Sequence, residues 1–276
     1  MPKKLKFILL ISVLCLLGTV CWGLVSRQTS ISANTINPDN VEKEYPVEEA
    51  NIEDDLVAAS SDVKIEVVMN KVVCIDAGHQ QSADMSKEPI GPGAKKSKAK
   101  VDGGTYGKKT GLTEYQLNLS IALKLQAELE SRGYTVIMIR TTNDVNISNS
   151  QRAQIANEAN ADAFIRIHAD GSDIESVHGA TTLCQTADNP YNGALYEQSR
   201  SLADSVINGV VASTGCKKRA VIETDDMSGI NWCQVPTTII EVGYLSNAKE
   251  EALLATEDYQ QLIATGIADG VDEYFK

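Results

Sequence analysis

Short β-branched runs recur along this chain at intervals too long for hairpins, and they restrict its fold more than any other feature. Lys71–Asp76, Tyr134–Arg140, Ala163–His168 and Thr237–Val242 are each too short for a core helix. Their near-continuous apolar character is that of strands buried on both faces. Helical segments lie between them. Thr113-x-x-Gln116 has the spacing of a capping box; Leu117, Ile121, Ala122, Leu125 and Leu129 follow at helical period, and Gly133 supplies a stop. Ser148-x-x-Gln151 opens a second helix to about Ala161. A long helix is expected from about Tyr191 to Ser213, closed by Gly215, and two more over about Ala248–Ala255 and Asp258–Tyr274. Gly179–Thr186 alternates as a further strand and Ala220–Glu223 as a weaker one. The pattern predicts an α/β fold, phosphorylase/hydrolase-like, with a mostly parallel central sheet of about six strands and helices on both faces.

The N-terminal part reads differently. Lys3, Lys4 and Lys6 precede a charge-free apolar run of 19 residues, Phe7–Val25, with Arg27 beyond it. As a helix this run would span about 28 Å, close to the hydrocarbon thickness of a bilayer. The lysine bias places the N-terminus in the cytoplasm and the rest outside. The run is longer than a usual signal-peptide apolar region and no small-x-small site follows it closely. Residues 1–26 are therefore expected to be a signal or membrane anchor, with secretion as the alternative if the segment is cleaved. Asp39–Glu66 then holds ten acidic residues and two lysines, so residues 27–70 are expected to form an acidic disordered tether. That acid supplies much of the net charge of −12. Residues 71–276 remain for one folded domain. Cys74, Cys184, Cys216 and Cys233 show no zinc-ribbon spacing; Cys216 and Cys233 could pair in an exported protein, or all four could be buried apolar side chains.

In open α/β sheets ligands bind at the carboxyl ends of the strands. His79 follows the first strand, His168 ends the third, and Glu241 comes late in the last long one. Glu114, in the first turn of the first helix, faces the same edge. Only three histidines exist in the chain, and two fall there. Two imidazoles and a carboxylate from separate elements suit a catalytic zinc, which keeps one position open and polarises a carbonyl. His79, Glu114 and His168 are the candidate ligands for one zinc per chain, and Glu241 is the candidate acid/base. Asp76 and Asp170 are candidates to hydrogen-bond the ligating imidazoles, and Arg140 to lie nearby. Each residue alone has a plainer reading. A histidine at a strand end can be a loop-side polar group, Glu114 a helix N-terminal acid, and Glu241 the partner of Arg140 or Arg166. His178 reads as a turn residue.

Four ordered blocks carry a resemblance: VVCIDAGH, TEYQLNLSIALKLQAELESRGYTVIMIRTTND, RAQIANEANADAFIRIHAD and PTTIIEVGYLSN. Together they resemble the zinc-dependent N-acetylmuramoyl-L-alanine amidases of the family 3 type, from about Lys71 to the C-terminus. The resemblance implies hydrolysis of the amide between N-acetylmuramic acid and L-alanine in peptidoglycan, zinc on His79, Glu114 and His168, and a catalytic Glu241. The implied partners are peptidoglycan and, through the N-terminal segment, the membrane; no nucleic-acid partner is expected. Three departures stand out: Gln80-Gln81 where the family commonly has glycines, Asp170 in place of an asparagine, and a long interval between His79 and Glu114. That interval carries Gly91-Pro-Gly93, Gly103-Gly104 and six lysines from Lys95 to Lys109. It reads either as a glycine-hinged lid that meets anionic wall groups or as a solvated insertion. Competing readings are a non-catalytic wall-binding or activator protein, a zinc peptidase acting on the stem peptide, and a structural zinc with Glu241 as fourth ligand. No Gly-x-Ser-x-Gly elbow supports a serine hydrolase.

Overall fold

The β-branched runs pair side by side in one twisted sheet. A computed structural model describes residues 71–276; the expected anchor and tether, 1–26 and 27–70, lie outside the described residues. The strands are β1 (Val72–Ala77), β2 (Asp84–Pro89), β3 (Ser97–Val101), β4 (Thr135–Met138), β5 (Ala163–Asp170), β6 (Ala180–Cys184), β7 (Lys218–Glu223) and β8 (Thr237–Tyr244). Six of them form the sheet in the order β4-β1-β5-β8-β6-β7, parallel except where β6 runs against β8. The helices are α1 (Glu114–Ser131), α2 (Asn149–Glu158), α3 (Tyr196–Thr214), α4 (Ser228–Asn231), α5 (Ala248–Leu254) and α6 (Glu257–Tyr274). Both capping boxes are in place: Gln116 Oε1 accepts from the Thr113 hydroxyl, and Gln151 Oε1 from the Ser148 N–H.

Strand alternation sorts the core onto two faces. Ile75, Ile167 and Ile240 point to the side where α1, α3 and α6 supply Leu125, Leu202 and Ile267. Cys74 and Phe164 point to the other side, against Ala153 and Ala156 of α2 and against Cys233. Ile239 meets Ile230 of α4 there. The six-stranded sheet with helices on both faces is the predicted one.

Three details differ from expectation, and the cysteines settle an alternative that the sequence leaves open. β2 and β3 form an antiparallel hairpin turned by Gly91–Gly93, within what reads as a polar insertion. A two-stranded, lysine-bearing ribbon lacks the apolar alternation that announces a strand. The hairpin is also docked: the Glu88 carboxylate accepts from the Ser150 N–H and hydroxyl at the start of α2, and the Trp232 indole donates to Pro89 O. Cys216 packs with the first core and Cys233 with the second, so the sheet lies between them, and all four described cysteines are free. Finally, β8 does not run out at Glu241. It continues to Tyr244 through a bulge in which Val242 and Gly243 oppose Ala169 alone, with Gly243 at φ 153°.

The second face carries a buried ion cluster near the carboxyl ends of β1 and β5. Asp76 accepts from Arg152 Nη1 at 2.6 Å and from Arg166 Nε at 2.9 Å, and Asp76 and Arg152 are both inaccessible to solvent. Burial alone would raise the Asp76 pKa, but the two guanidinium charges outweigh it and hold the carboxyl well below its usual range. Its stabilisation is therefore present above about pH 4 and is lost as pH falls toward the depressed native value. Asp76→Ala strands two buried guanidiniums, and urea titration at neutral pH should show a loss of about 3–5 kcal/mol.

Candidate metal centre

His79, Glu114, His168 and Glu241 come from four separate elements and meet at the carboxyl edge of the sheet. His79 sits two residues past β1 in a left-handed conformation, φ 58°, which a non-glycine residue adopts only when its surroundings hold it. Those surroundings are two arginines. Arg140 donates to Ala77 O and Gly78 O, and Arg152 Nη2 donates to His79 O at 3.0 Å. Glu114 is the first residue of α1, and His168 and Glu241 lie directly opposite each other on β5 and β8.

The donor atoms of the first three residues crowd one point. His79 Nε2 is 3.0 Å from Glu114 Oε1, and His168 Nδ1 is 3.1 Å from both. Three lone-pair atoms so placed cannot all be satisfied by donating to one another. The far nitrogen of His79, Nδ1, lies 2.8 Å from Asp102 Oδ1, which draws the proton to that side and leaves Nε2 free toward the cluster. Glu114 is oriented too: Oε2 accepts from the Thr105 N–H, and Oε1 from Ala169 N–H and Asn118 Nδ2. The spacing is close to the roughly 3.3 Å edges of a tetrahedron with zinc–nitrogen bonds of about 2.0–2.1 Å. The residues fit a metal, and this is the sole cluster among the described residues with that character.

Two glycines make room for it. A Cβ on Gly78 would stand 2.3 Å from the His168 ring, and one on Gly104 2.6 Å from Glu114 Oε2. Gly104 has φ 69°, so its conformation also disfavours any other residue.

The ionisable groups are tuned against each other. Burial disfavours charge on His79, yet in the metal-free site hydrogen bonds to Asp102 and Glu114 outweigh it and lift its pKa to about 10, so a metal would bind there by displacing the Nε2 proton while Asp102 retains the one on Nδ1. Burial lowers that of His168. Glu241 moves most usefully: burial first, then the negative charges of Glu114 and Asp170, push its pKa well above the ordinary carboxylate value. Its Oε2 is buried and has no hydrogen-bond partner. Neither Arg140 nor Arg166 pairs with it, contrary to the plainer sequence reading.

Of the remaining candidates, Arg140 lies beside the His79 turn, whereas Asp76 and Asp170 bond to neither imidazole. Asp76 hydrogen-bonds no imidazole, because Arg152 and Arg166 take both its oxygens. Arg140 grips backbone carbonyls behind the site, including Tyr115 O. Asp170 accepts from the Gly171 N–H and acts on Glu241 only through its charge. The imidazole-orienting acid is instead Asp102, which sequence reasoning missed: it lies 23 residues from His79 in the insertion, with no local pattern to mark it.

The chain and its fold are similar to known proteins. The family model described as N-acetylmuramoyl-L-alanine amidase matches residues 73–273. N-acetylmuramoyl-L-alanine amidase LytC of Bacillus subtilis (strain 168) is 30% identical over 175 residues, 63% of this chain and 33% of LytC. The chain thus matches about a third of that relative's length. Among solved structures, Ami1 from Mycobacterium smegmatis superposes with a TM-score of 0.68 at 25% identity, covering 74% of this chain and 96% of Ami1. The catalytic domain of CwlV from Bacillus (Paenibacillus) polymyxa var. colistinus does so with 0.60 at 32% identity, covering 74% and 98%.

The raised pKa of Glu241 has a measurable consequence in metal-stripped protein. The unfolded chain ionises this carboxyl above about pH 4.3, whereas the metal-free fold holds its proton to a higher pH. Its stabilisation is thus complete below that pH and is lost as pH rises toward the native pKa. Glu241→Gln should match the wild-type melting temperature near pH 4 and exceed it increasingly toward pH 7, as read by calorimetry. Equal melting temperatures at both pH values would mean that the buried carboxyl carries no such penalty.

Proposed function

This chain is a member of the N-acetylmuramoyl-L-alanine amidase family, and from that premise we propose that it is a zinc amidase of peptidoglycan. The bond it cleaves is the amide joining the lactyl group of N-acetylmuramic acid to the L-alanine of the stem peptide. The observation that carries this reading is the convergence of His79 Nε2, Glu114 Oε1 and His168 Nδ1 beside a buried carboxyl with an unpartnered oxygen.

His79, Glu114 and His168 would hold one zinc. When bound, zinc supplies Lewis-acid polarisation of the scissile carbonyl and acidifies water. Glu241 takes the proton from the attacking water as the new carbon–oxygen bond forms. It then delivers that proton to the departing nitrogen as the carbon–nitrogen bond breaks, which leaves the lactyl carboxylate and a free L-alanine amine. A carboxyl with a raised pKa suits both halves of that task, because its affinity for the proton lies between those of donor and acceptor. Arg140 and Arg152 keep the His79 turn in its strained conformation, and Asp102 and Thr105 keep ligand atoms aimed inward.

The N-terminal sequence supports an extracytoplasmic site of action. The lysines before Phe7–Val25 and the length of that run favour a retained anchor, with residues 27–70 as the tether that lets the catalytic domain reach the wall. Mass spectrometry of the protein from exporting cells should find the N-terminus intact; a mature form lacking residues 1–25 would replace the anchor by a cleaved signal.

Digestion of purified peptidoglycan tests the chemistry. The zinc-loaded protein should expose new L-alanine amino termini, and chelation should abolish them. New termini elsewhere in the stem would make it a stem-peptide peptidase. Glu241→Gln should lower turnover by at least about 100-fold while the bound zinc, counted by atomic absorption, stays at one per chain. Loss of zinc from Glu241→Gln would make Glu241 a ligand instead.

A further inference from the structure

The site lies where two arms of one groove meet, and the arms differ in charge. His79, Asp102, His168 and Glu241 are common to both. One arm runs along the β2–β3 hairpin, where the charged groups it adds are Lys87, Lys98 and Arg166. The other runs past residues 103–108 and 170–173, where Glu114, Asp170 and Asp173 outnumber Lys108. The substrate proposed above is polarised in the same way. Its glycan side has no free carboxylate once the lactyl group is in the amide, whereas the stem peptide carries carboxyls.

Most of the insertion's lysines are already engaged. Lys96 and Lys98 pair with Asp226, Lys100 with Asp84 and Lys108 with Glu175. Lys87 is different: it is exposed on β2, lines the hairpin arm, and among the described residues pairs with no carboxylate. In the same arm, Arg166 is only 3% exposed. Its Nε goes to Asp76 and its Nη2 to Asn149 Oδ1 at 2.7 Å, while no protein acceptor takes Nη1. That nitrogen lies against the cavity wall at Gly229, where a Cβ would stand 1.9 Å away. Because Asp76 is shared with Arg152, one carboxylate faces two guanidiniums and the floor of this arm keeps a positive charge.

The position of that charge fits a particular group. Arg166 and His168 lie on the same face of β5, two residues apart, so about 6.6–7 Å along the strand. An extended peptide advances about 3.3–3.6 Å per residue. A chain that runs toward the start of β5 from a cleaved amide beside His168 and Glu241 therefore brings its second residue level with Arg166, in the arm that Lys87 also lines. In a stem peptide that second residue is an acidic amino acid linked through its side chain, which leaves its α-carboxyl free or amidated.

Resting on the amidase reading, we propose that Arg166 and Lys87 form a carboxylate subsite for the second stem residue, so that the peptide lies along the β2–β3 hairpin and the glycan along the opposite arm. The subsite discriminates a free α-carboxylate from its carboxamide. A charge-assisted contact of this kind is worth about tenfold or more in affinity.

The test uses the zinc-loaded full chain and two soluble muramyl peptides that differ only in carboxylate or carboxamide at that residue. The wild type should favour the carboxylate by about tenfold in kcat/KM, mainly through KM. Lys87→Glu should bring the ratio to parity or invert it. Lys108→Glu, the same charge change on the other arm, should leave the ratio where it was. Calorimetric Kd values for the two free stem peptides, which need no turnover, should follow the same pattern. Equal wild-type rates, a ratio that survives Lys87→Glu, or a ratio that falls equally with Lys108→Glu would each overturn the subsite while leaving the amidase intact. Cleavage of neither substrate would overturn the amidase reading itself.

Discussion

One carboxylate, Asp76, lies between two guanidiniums under the carboxyl edge of the sheet, and the working parts of the molecule hang from it. Arg152 reaches from Asp76 to His79 O, and so holds the left-handed turn that aims His79 at the cluster. Arg166 reaches from Asp76 to the floor of the groove. Ion pairs this deep add little net stability compared with an apolar core, but breaking one is expensive because the remaining charges have nowhere to go. The cluster therefore fixes geometry more than it strengthens the fold.

The same low-dielectric surroundings set the chemistry. Glu114 and Glu241 are both carboxylates beside His168, yet they are driven apart. Burial works against charge on Glu114, but its hydrogen bonds to His168 and His79 outweigh that and hold its pKa well below the ordinary value. Glu241 has no such donor, so burial and the neighbouring negative charges raise its pKa. One acid is thereby suited to hold a cation and the other to carry a proton. Register brings the two acids together, since β8 puts Glu241 level with His168, but the Thr105 and Ala169 N–H groups that serve Glu114 do not bond to Glu241.

The groove around this centre is asymmetric for a related reason. The hairpin arm is floored by Arg166, whose counter-charge Asp76 is shared with Arg152, and the opposite arm is lined by Asp170 and Asp173 at and just past the end of β5. Glu88 and Trp232 dock the hairpin against the body of the domain, so its arm has a built wall.

Much of this was legible in the amino-acid sequence. Strand and helix periodicity announced the α/β sheet, and the capping boxes at Thr113 and Ser148 marked two helix starts. The scarcity of histidine makes His79 and His168 at one edge conspicuous, Glu114 and Glu241 fall at the same edge by their places in α1 and β8, and the resemblance implies the same four roles. These readings succeed because each depends on local spacing or on a residue type that is rare. Asp102 as the orienting partner, Asp76 as a shared counter-ion, the β2–β3 hairpin and the bulge at Gly243 were decided only by tertiary structure. Each depends on which distant groups burial brings within hydrogen-bonding distance, and no period along the chain encodes that. Asp76 and Asp170 were read as neighbours of imidazoles from their places at strand ends; buried arginines on α2 and β5 claimed Asp76 first, because a guanidinium without a counter-charge is the costlier group to leave unpaired.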